Sequence, residues 1–286
     1  MTRPDATVCL TFDFDAISLW IGPFGATSPS MISRGEFGAV GARRILALLD
    51  REGIPATFFV TGHTAETYPA IVRDIAAAGH EIGHHGYLHE NPIALETRER
   101  EREILQRGFA ALDRVAGIRP TGYRSPAWDN SPHTIELLLE AGFRYESSLM
   151  GNDFSPYWCR VGDAIHDDGP YEFGAPVDLV EMPVSWILDD FPHFENVSLK
   201  TGLLTVGLSA PSKVEEIWRG EFDFMYRDVQ GGVFNLTMHP QVIGRGHRML
   251  MLERLIAHVR SHDGVRFATL GDAAETFRAA SPRGQG

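Results

Sequence analysis

Short β-rich segments alternate with helical patterns along almost the whole chain of 286 residues. Such alternation is typical of a parallel β-sheet whose strands are joined by crossover helices, and repeated right-handed crossovers can close the sheet into a barrel. The strands are predicted at residues 6–12, 55–60, 80–84, 122–124, 143–147, 178–183, 233–238 and 266–270. We therefore expect an α/β fold with seven or eight parallel strands in a single domain.

The helices between these strands are recognised by their ends. They are predicted at residues 40–52, 64–78, 96–115, 131–141, 212–228, 248–261 and 272–279. Glycines that follow helical patterns, such as Gly53 and Gly142, are typical of left-handed C-terminal caps. Ser131 before Pro132, and Ser212 with Glu215 three residues later, predict N-terminal caps.

Two stretches are richer in Gly, Pro, Asp and Phe than the rest, and we interpret them as long loops over one face of the domain. They cover residues 148–178 and 187–211. Because no linker-like composition divides the chain, we expect one catalytic domain over residues 1–280. Residues 281–286 are predicted to form a flexible tail.

Composition excludes several classes of protein. The net charge is −12 and no run of Lys or Arg occurs, which disfavours nucleic-acid and anionic-membrane partners. The longest apolar run is far shorter than a membrane span. The N-terminal residues do not follow a signal-peptide pattern, and the only cysteines, Cys9 and Cys159, cannot form a disulfide framework. We expect a soluble cytoplasmic enzyme.

The segment of residues 79–92, GHEIGHHGYLHENP, contains four of the twelve histidines. His85 and His89 are four residues apart, so on one helical turn both imidazoles would project from the same face and could bind one metal ion. His80 and His84 have the same spacing, and the sequence alone does not exclude them. They lie within a predicted strand, however, where residues four apart are about 13 Å distant.

Chemically active side chains also follow other predicted strands. They are Asp13 and Asp15 in TFDFD, Arg124 in GYRSPAW, His239 in LTMHP, and Trp186, Asp189 and Asp190 after the strand at 178–183. Taken singly, each has an ordinary structural explanation, such as a solvated carboxylate, a surface ion pair or a core histidine. The carboxyl ends of parallel barrel strands converge on one mouth, where active sites lie. Together these residues have the composition of a metal-hydrolase site.

In this order the motifs resemble those of the polysaccharide deacetylase family, which has the NodB-homology fold. TFDFD resembles the family's T-F-D-D-G, and GHEIGHHGYLH resembles G-H-E-I-G-N-H-T-Y-x-H. RSP matches R-x-P, LTMH matches L-x-x-H, and the motif around Trp186, Asp189 and Asp190 is matched only loosely. The resemblance covers nearly the whole chain and implies a distorted (β/α) barrel.

The resemblance also implies roles for individual residues. Asp15, His85 and His89 would bind one divalent metal ion, Zn in the simplest reading, with Co, Fe or Mn also accepted in the family. Asp13 would act as general base with Arg124 holding it ionised, and His239 as general acid. The substrate pocket would include Tyr87, Trp128, Trp186 and Asp190.

Three features depart from the family pattern: Asp-Phe-Asp replaces Asp-Asp, Gly86 replaces Ser or Thr, and no signal peptide is recognised. These features resemble an intracellular subgroup with allantoinase-like and cyclic-imide hydrolases, whose members are often tetramers. We therefore expect a homo-oligomeric hydrolase of carbon–nitrogen bonds other than peptide bonds, with a small cyclic imide or ureide as substrate.

Three other functions stay open from the sequence. The first is N-deacetylation of peptidoglycan or another N-acetylated glycan. The second is a catalytically idle member of the fold that only binds sugar or metal. A cysteine-nucleophile amidase is disfavoured because Cys9 lies in a strand that should be buried.

Overall fold

The computed structural model describes residues 6–199 and 202–283, apart from the side chains of residues 199 and 202–206. The strands are β1 (Ala6–Phe14), β2 (Thr57–Val60), β3 (Glu81–His84), β4 (Gly122–Tyr123), β5 (Tyr145–Glu146), β6 (Tyr157–Val161), β7 (Ala175–Glu181), β8 (Asn196–Leu199), β9 (Gly202–Val206), β10 (Val233–Met238) and β11 (Val265–Phe267).

The helices surround the strands. They are α1 (Ile17–Ile21), α2 (Pro29–Glu52), α3 (Gly62–Thr67), α4 (Pro69–Ala77), α5 (Arg98–Ala116), α6 (Thr134–Ala141), α7 (Asp190–Phe194), α8 (Pro211–Asp228), α9 (Pro240–Ile243), α10 (Gly246–Arg260) and α11 (Leu270–Ala280). Short 3₁₀ turns cover Pro92–Ala94, Pro126–Trp128 and Trp186–Leu188.

Parallel strands form a curved sheet in the order β10-β1-β2-β3-β4-β5-β7, and β6 extends it as an antiparallel edge. One edge of β1 pairs first with β11, at Ala6 to Val8, and then with β2, from Thr11 onwards. Between β10 and the chain after β7, the ladder pairing that the structure describes is a single backbone bridge between Thr237 and Asp189. The expected distorted barrel in a single domain is confirmed.

Large rings fill the barrel interior because glycines face them. A Cβ atom on Gly83 would overlap the ring of Phe59, and one on Gly122 would overlap the ring of Tyr145. Below these rings α11 closes the amino-terminal end of the barrel. There the Glu81 carboxylate accepts hydrogen bonds from the Tyr145 hydroxyl at 2.9 Å and from the amide of Gly271 at 2.9 Å. The interior is therefore packed, and only its carboxyl-terminal mouth is open to a ligand.

The main core lies between the strands and the surrounding helices. Trp218 and Phe222 of α8 are fully buried there, beside Phe234 of β10. Helices α2, α4 and α10 contribute mostly aliphatic side chains to the same cluster. This layer holds β1 and β10 rigidly, and both strands carry pocket residues at their ends.

The glycine caps were predicted well and the side-chain caps were not. Gly53, Gly117 and Gly142 end their helices in the left-handed conformation. By contrast, α6 begins at Thr134, and the Ser131 hydroxyl instead accepts a hydrogen bond from the amide of His133. The predicted box at Ser212 was also wrong, because α8 begins one residue earlier, at Pro211, without a side-chain cap.

Glu215, whose carboxylate was predicted to take part in the capping box of α8, binds another partner. It lies between α8 and α10 and accepts hydrogen bonds from Arg254 at 2.6 and 2.9 Å.

The single helix predicted at 64–78 is divided into two helices, α3 and α4. The division occurs at Tyr68, because Pro69 begins a new helix.

The two predicted loops contain regular structure. Residues 148–178 include β6 and the first half of β7, and residues 187–211 include α7 and the β8–β9 hairpin. Their Gly, Pro and Asp residues form turns between short strands, which composition alone does not separate from irregular loops. Residues 284–286 of the predicted tail lie outside the described residues, so the domain boundary at 280 stays a prediction. In the described part of the chain, no helix is both long and apolar enough to cross a membrane.

The contact between α2 and α9 can be tested with two glycines. A Cβ atom on Gly41 would overlap the carbonyl oxygen of Pro240, whereas one on Gly220, exposed in α8, would meet nothing within 4 Å. We expect Gly41→Ala to lower the free energy of unfolding by roughly 1–3 kcal/mol through overpacking. Gly220→Ala should raise it by about 0.5–1 kcal/mol, because alanine favours a helix.

Chemical denaturation of the two variants and the wild type measures both effects. An unchanged midpoint for Gly41→Ala would show that α2 and α9 can separate without cost.

Candidate metal centre and active site

A pocket of about 840 Å³ opens at the carboxyl-terminal ends of the strands. Its lining includes the candidate catalytic and metal-binding residues Asp13, Asp15, His85, His89 and His239. They come from the ends of β1 and β10 and from the loop after β3. The predicted convergence of strand-end residues on one mouth is therefore what the structure contains.

Asp15, His85 and His89 have the geometry of a metal-binding triad. The Oδ1 atom of Asp15 lies 3.3 Å from Nε2 of His85 and 3.8 Å from Nε2 of His89. Ligands about 2.0–2.1 Å from a tetrahedral zinc ion are separated by roughly 3.3 Å. The same Oδ1 atom is buried without a hydrogen-bond partner among the described residues, so a cation there would satisfy it. The donor set thus fits a divalent metal ion.

The charges around Asp15 favour its carboxylate form. Burial alone would raise the pKa of this carboxyl, but the imidazoles of His89 and His85 outweigh burial and lower the pKa to about 2. For His89, burial is the largest effect and lowers its pKa to about 4. A carboxylate and a neutral imidazole are the forms that bind metal ions.

The two histidines meet through a loop and not through the predicted helical turn. After β3 the backbone takes positive φ values of 71° at Gly86 and 59° at His89, which bring the two imidazoles to 5.1 Å between ring centroids. The Nδ1 atom of His85 lies 2.7 Å from the carbonyl oxygen of Arg124. That nitrogen must donate, so Nε2 carries the lone pair that faces Asp15.

The alternative pair, His80 and His84, lies outside the pocket. Nε2 of His84 contacts the carbonyl oxygen of Leu105 at 3.0 Å, and burial lowers the pKa of His84 to about 4. His80 packs against the ring of Phe58. The two side chains lie in the layer between strands and helices, so the structure resolves an ambiguity that spacing left open.

Arg124 holds Asp13 in place. It is fully buried, and its Nη1 donates to Oδ1 of Asp13 at 2.8 Å and to the Thr11 hydroxyl at 2.9 Å. Its other nitrogens donate to the carbonyl and hydroxyl oxygens of Ser147 at 3.1 and 2.9 Å. The guanidinium thus joins the ends of β1 and β5 and orients one carboxylate toward the pocket.

Asn235 was not predicted from the sequence as a site residue, although the spacing of polar residues along β10 indicates its position. Its amide donates to the carbonyl oxygens of Met182 and Pro183 at 3.3 and 3.0 Å, across the gap between β10 and the chain after β7. Asn235, Thr237 and His239 alternate along β10, so they share its inward face. A polar residue on every second position of a buried strand identifies a polar barrel interior.

His239 is oriented by Asp190. Its Nδ1 lies 2.7 Å from Oδ1 of Asp190 and 3.5 Å from Asp189, and its Nε2 lies 3.7 Å from Asp15. Burial would lower the pKa of His239, but the charge of Asp189 and the hydrogen bond to Asp190 outweigh it and raise that pKa well above its usual value. His239 therefore has its proton-carrying Nε2 directed at the triad.

Two of the four residues predicted to line the substrate pocket lie elsewhere. Asp190 is fully buried behind His239 and binds its backbone amide as well as its ring. Tyr87 points away because the turn at Gly86 directs its ring toward α5, where Arg107 stacks on it. Trp128 and Trp186 do line the pocket, with ring centroids 4.4 Å apart.

Other lining residues had no sequence signal. The structure adds Phe24 from the α1–α2 connection, Phe191 from α7 and Lys213 from α8. Next to the pocket, the Gln241 amide lies 3.4 Å from Oδ2 of Asp15. These residues come from connecting segments, which the sequence does not align with one another.

Strained backbone is concentrated around the pocket. In the described part of the chain, the non-glycine residues with positive φ are Ala16, His89, Ala127, Trp128 and Leu208. Each lines the pocket or is next in sequence to a lining residue. Such strain persists where surrounding structure enforces it, and it clusters at functional sites.

The cysteines lie away from this pocket. Burial raises the pKa of both the Cys9 and the Cys159 thiols, which keeps them protonated near neutral pH. A thiolate nucleophile is therefore disfavoured.

A comparison with known proteins decides the family to which this chain belongs. The protein-family model described as Polysaccharide deacetylase matches residues 1–146 of this chain. A peptidoglycan deacetylase from Helicobacter pylori is 40% identical over 283 residues, which are 95% of this chain and 96% of that protein. The chain belongs to the polysaccharide deacetylase family. Membership indicates a hydrolase of carbon–nitrogen bonds, and the Asp-His-His triad is what a metal-dependent family member needs.

Solved structures agree with this assignment. A Mycobacterium smegmatis protein assigned to the polysaccharide deacetylases is 41% identical, with a TM-score of 0.85 over 99% of this chain and 94% of that one. The Puue allantoinase is 24% identical, with a TM-score of 0.80 over 98% of this chain and 93% of the allantoinase. At that identity the allantoinase shares the fold with this polysaccharide deacetylase family member.

The triad can be tested by metal content. We expect the purified protein, dialysed against metal-free buffer, to retain about one divalent ion per chain. His85→Ala and His89→Ala should each remove most of it, because the remaining ligands are too few. His80→Ala is the matched control, since this histidine has the same four-residue spacing to His84 but lies outside the pocket. Elemental analysis that finds equal metal in all four proteins would disprove the site.

Proposed function

We propose that this chain is a metal-dependent hydrolase of an amide carbon–nitrogen bond other than a peptide bond. The observation that carries the proposal is the convergence of three groups on one pocket. These groups are the Asp15–His85–His89 triad, the Asp13–Arg124 pair and the His239–Asp190 pair. A catalytically idle binding member of the family would not need a base and an acid beside the triad.

Zinc is the metal that the ligand set favours. Two imidazoles and one carboxylate are typical of catalytic zinc sites, and Co, Fe or Mn are compatible with the same donors. When bound, such an ion would supply Lewis acidity that activates water and polarises the carbonyl of the scissile bond.

Asp13 has the position of the general base. Arg124 binds its Oδ1 atom at 2.8 Å, which leaves Oδ2 available to accept a proton from the attacking water. Asp13 is almost fully buried, so the charge-assisted hydrogen bond from the guanidinium fixes the orientation of its carboxylate. Asp13 would therefore receive the proton that water loses when it adds to the substrate carbonyl.

His239 has the position of the general acid. Asp190 accepts a hydrogen bond from Nδ1. Because the pKa of the ring is raised, Nε2 also carries a proton, and it faces the pocket on the side of Asp15. Donation to the departing nitrogen makes that nitrogen a neutral leaving group. Asp190 acts through His239 and is a positioning residue.

The base and the metal ligand can be separated by substitution. We expect Asp13→Asn to keep the metal ion but lower kcat by about 10²–10⁴-fold, the usual contribution of a general base. Asp15→Asn should lose the metal ion together with the activity. Metal analysis and steady-state kinetics of both variants measure this. Loss of metal from Asp13→Asn and its retention by Asp15→Asn would show that the roles are exchanged.

For the substrate we propose a compact cyclic imide or ureide. Side chains from several connecting segments wall the pocket, and they include Phe24, Trp128, Trp186 and Phe191. A polymer needs a groove that is open at both ends, whereas walls on several sides favour a ligand that the pocket can surround. Hydrolysis of a cyclic imide would open its ring without releasing acetate.

A second candidate is N-deacetylation of peptidoglycan or another N-acetylated glycan. The name of the Helicobacter pylori relative, which aligns with nearly the whole chain, favours this activity. Trp186 is 47% exposed at the pocket rim, and its ring stacks on Trp128. An aromatic surface of this kind could also pack against a sugar ring.

One assay distinguishes the two substrates. We expect the metal-loaded enzyme to open small cyclic imides or ureides and to release little acetate from chitin oligomers or peptidoglycan. Asp13→Asn is the control in both panels, since turnover by the pocket must disappear in this variant. Robust acetate release without imide turnover would establish the deacetylase instead, and no turnover of either panel would favour the idle member.

We also propose that the chain forms a homo-oligomer. On the β6–β7 hairpin, Ile165 is 85% exposed and Phe173 is 72% exposed, and apolar groups of this size are unfavourable in water. These side chains would be covered by a second copy of the chain.

A further inference from the structure

A second group of metal-type ligands lies between α8 and α10, and the proposed reaction does not use it. Oδ1 of Asp223 lies 2.6 Å from Nε2 of His258 and 3.7 Å from Nε2 of His262. The two imidazole rings are 4.9 Å apart between centroids. The three ligand atoms therefore surround one small volume, as they do in the Asp15 triad.

The orientation of His262 leaves its Nε2 available to a cation. Its Nδ1 lies 2.9 Å from the carbonyl oxygen of His258, so Nδ1 donates a hydrogen bond. Nε2 faces Oδ1 of Asp223 at 3.7 Å, which is longer than a hydrogen bond and close to the separation of two ligands on one metal ion. A metal ion between these two atoms would bind to both of them.

The surroundings hold the second histidine in this orientation. The rings of Tyr226 and Phe222 pack against His262 at 4.8 and 5.1 Å between centroids. When one ring nitrogen of a histidine is hydrogen-bonded and its ring is packed, the side chain loses little conformational freedom as the other nitrogen binds a metal ion. His258 and His262 are also only partly buried, so an ion and its remaining water ligands can reach the site from solvent.

We propose that Asp223, His258 and His262 form a second divalent metal site, which joins α8 to α10. Two imidazoles and one carboxylate suit Zn²⁺, Ni²⁺ and Cu²⁺, and water would complete the coordination. For tetrahedral coordination the 2.6 Å contact must widen and the 3.7 Å contact must shorten toward roughly 3.3 Å. These are small movements for side chains on two adjacent helices.

This site is separate from the catalytic pocket. Lys213 at the beginning of α8 lines the pocket, whereas Asp223 is ten residues further along the same helix, about 15 Å along its axis. Metal binding here would stabilise the folded chain, because the unfolded chain does not bring the three ligands together.

Zinc binding tests the proposal. The chain is stripped with a chelator and equilibrated by dialysis against excess free Zn²⁺. We expect two ions per chain for the wild type and one for His258→Gln or Asp223→Asn. His247→Gln, an exposed histidine on the same helix, should still bind two. Far-ultraviolet circular dichroism confirms that each variant is folded.

Variants of Asp15 keep the second site distinguishable from the pocket site. We expect Asp15→Asn to bind one Zn²⁺ ion, at the second site, and to become thermally more stable when Zn²⁺ is added. The double variant Asp15→Asn with His258→Gln should bind no ion and show no such gain in stability. If Asp15→Asn retains an ion that His258→Gln removes, the second site is supported even when the pocket itself binds none. Equal zinc binding by the wild type and His258→Gln would overturn the second site.

Discussion

The ion pair between Arg124 and Asp13 is the interaction on which the mouth of the barrel depends. A fully buried guanidinium is unfavourable unless its donors are satisfied, and here each of its nitrogens has an oxygen partner. Its side chain connects β1 with β5, and its backbone carbonyl orients His85. The same residue therefore positions the proposed base and one proposed metal ligand. A substitution of Arg124 would remove the hydrogen bond that orients Asp13.

Strand ends and connecting segments contribute differently to the pocket. Asp13, Asp15 and His239 are attached to β1 and β10, which are held between the barrel interior and a thick aromatic core. The walls come from connections that carry Phe24 and Trp186. This division lets the hydrolytic chemistry stay constant while the walls select the substrate.

The two metal-type clusters illustrate different uses of the same ligands. The Asp15 triad is buried, strained and adjacent to an acid and a base, which is the environment of a reaction. The Asp223 cluster is partly exposed and lies between two helices, which is the environment of a site that holds helices together. Identical donor sets are thus separated in function by burial and by their neighbours.

The sequence by itself determined the alternation of strands and helices and the caps at Gly53 and Gly142, because these features depend on local patterns. It also supplied Asp13, Asp15, His85, His89 and His239 as candidates, through the rule that parallel strand ends converge and through the resemblance to a known family. Only the tertiary structure decided which way a side chain faces. The turn at Gly86 directed Tyr87 outward, His84 faced the helical layer, and Asp190 lay behind His239. Orientation depends on packing between distant segments, and no local pattern contains that information.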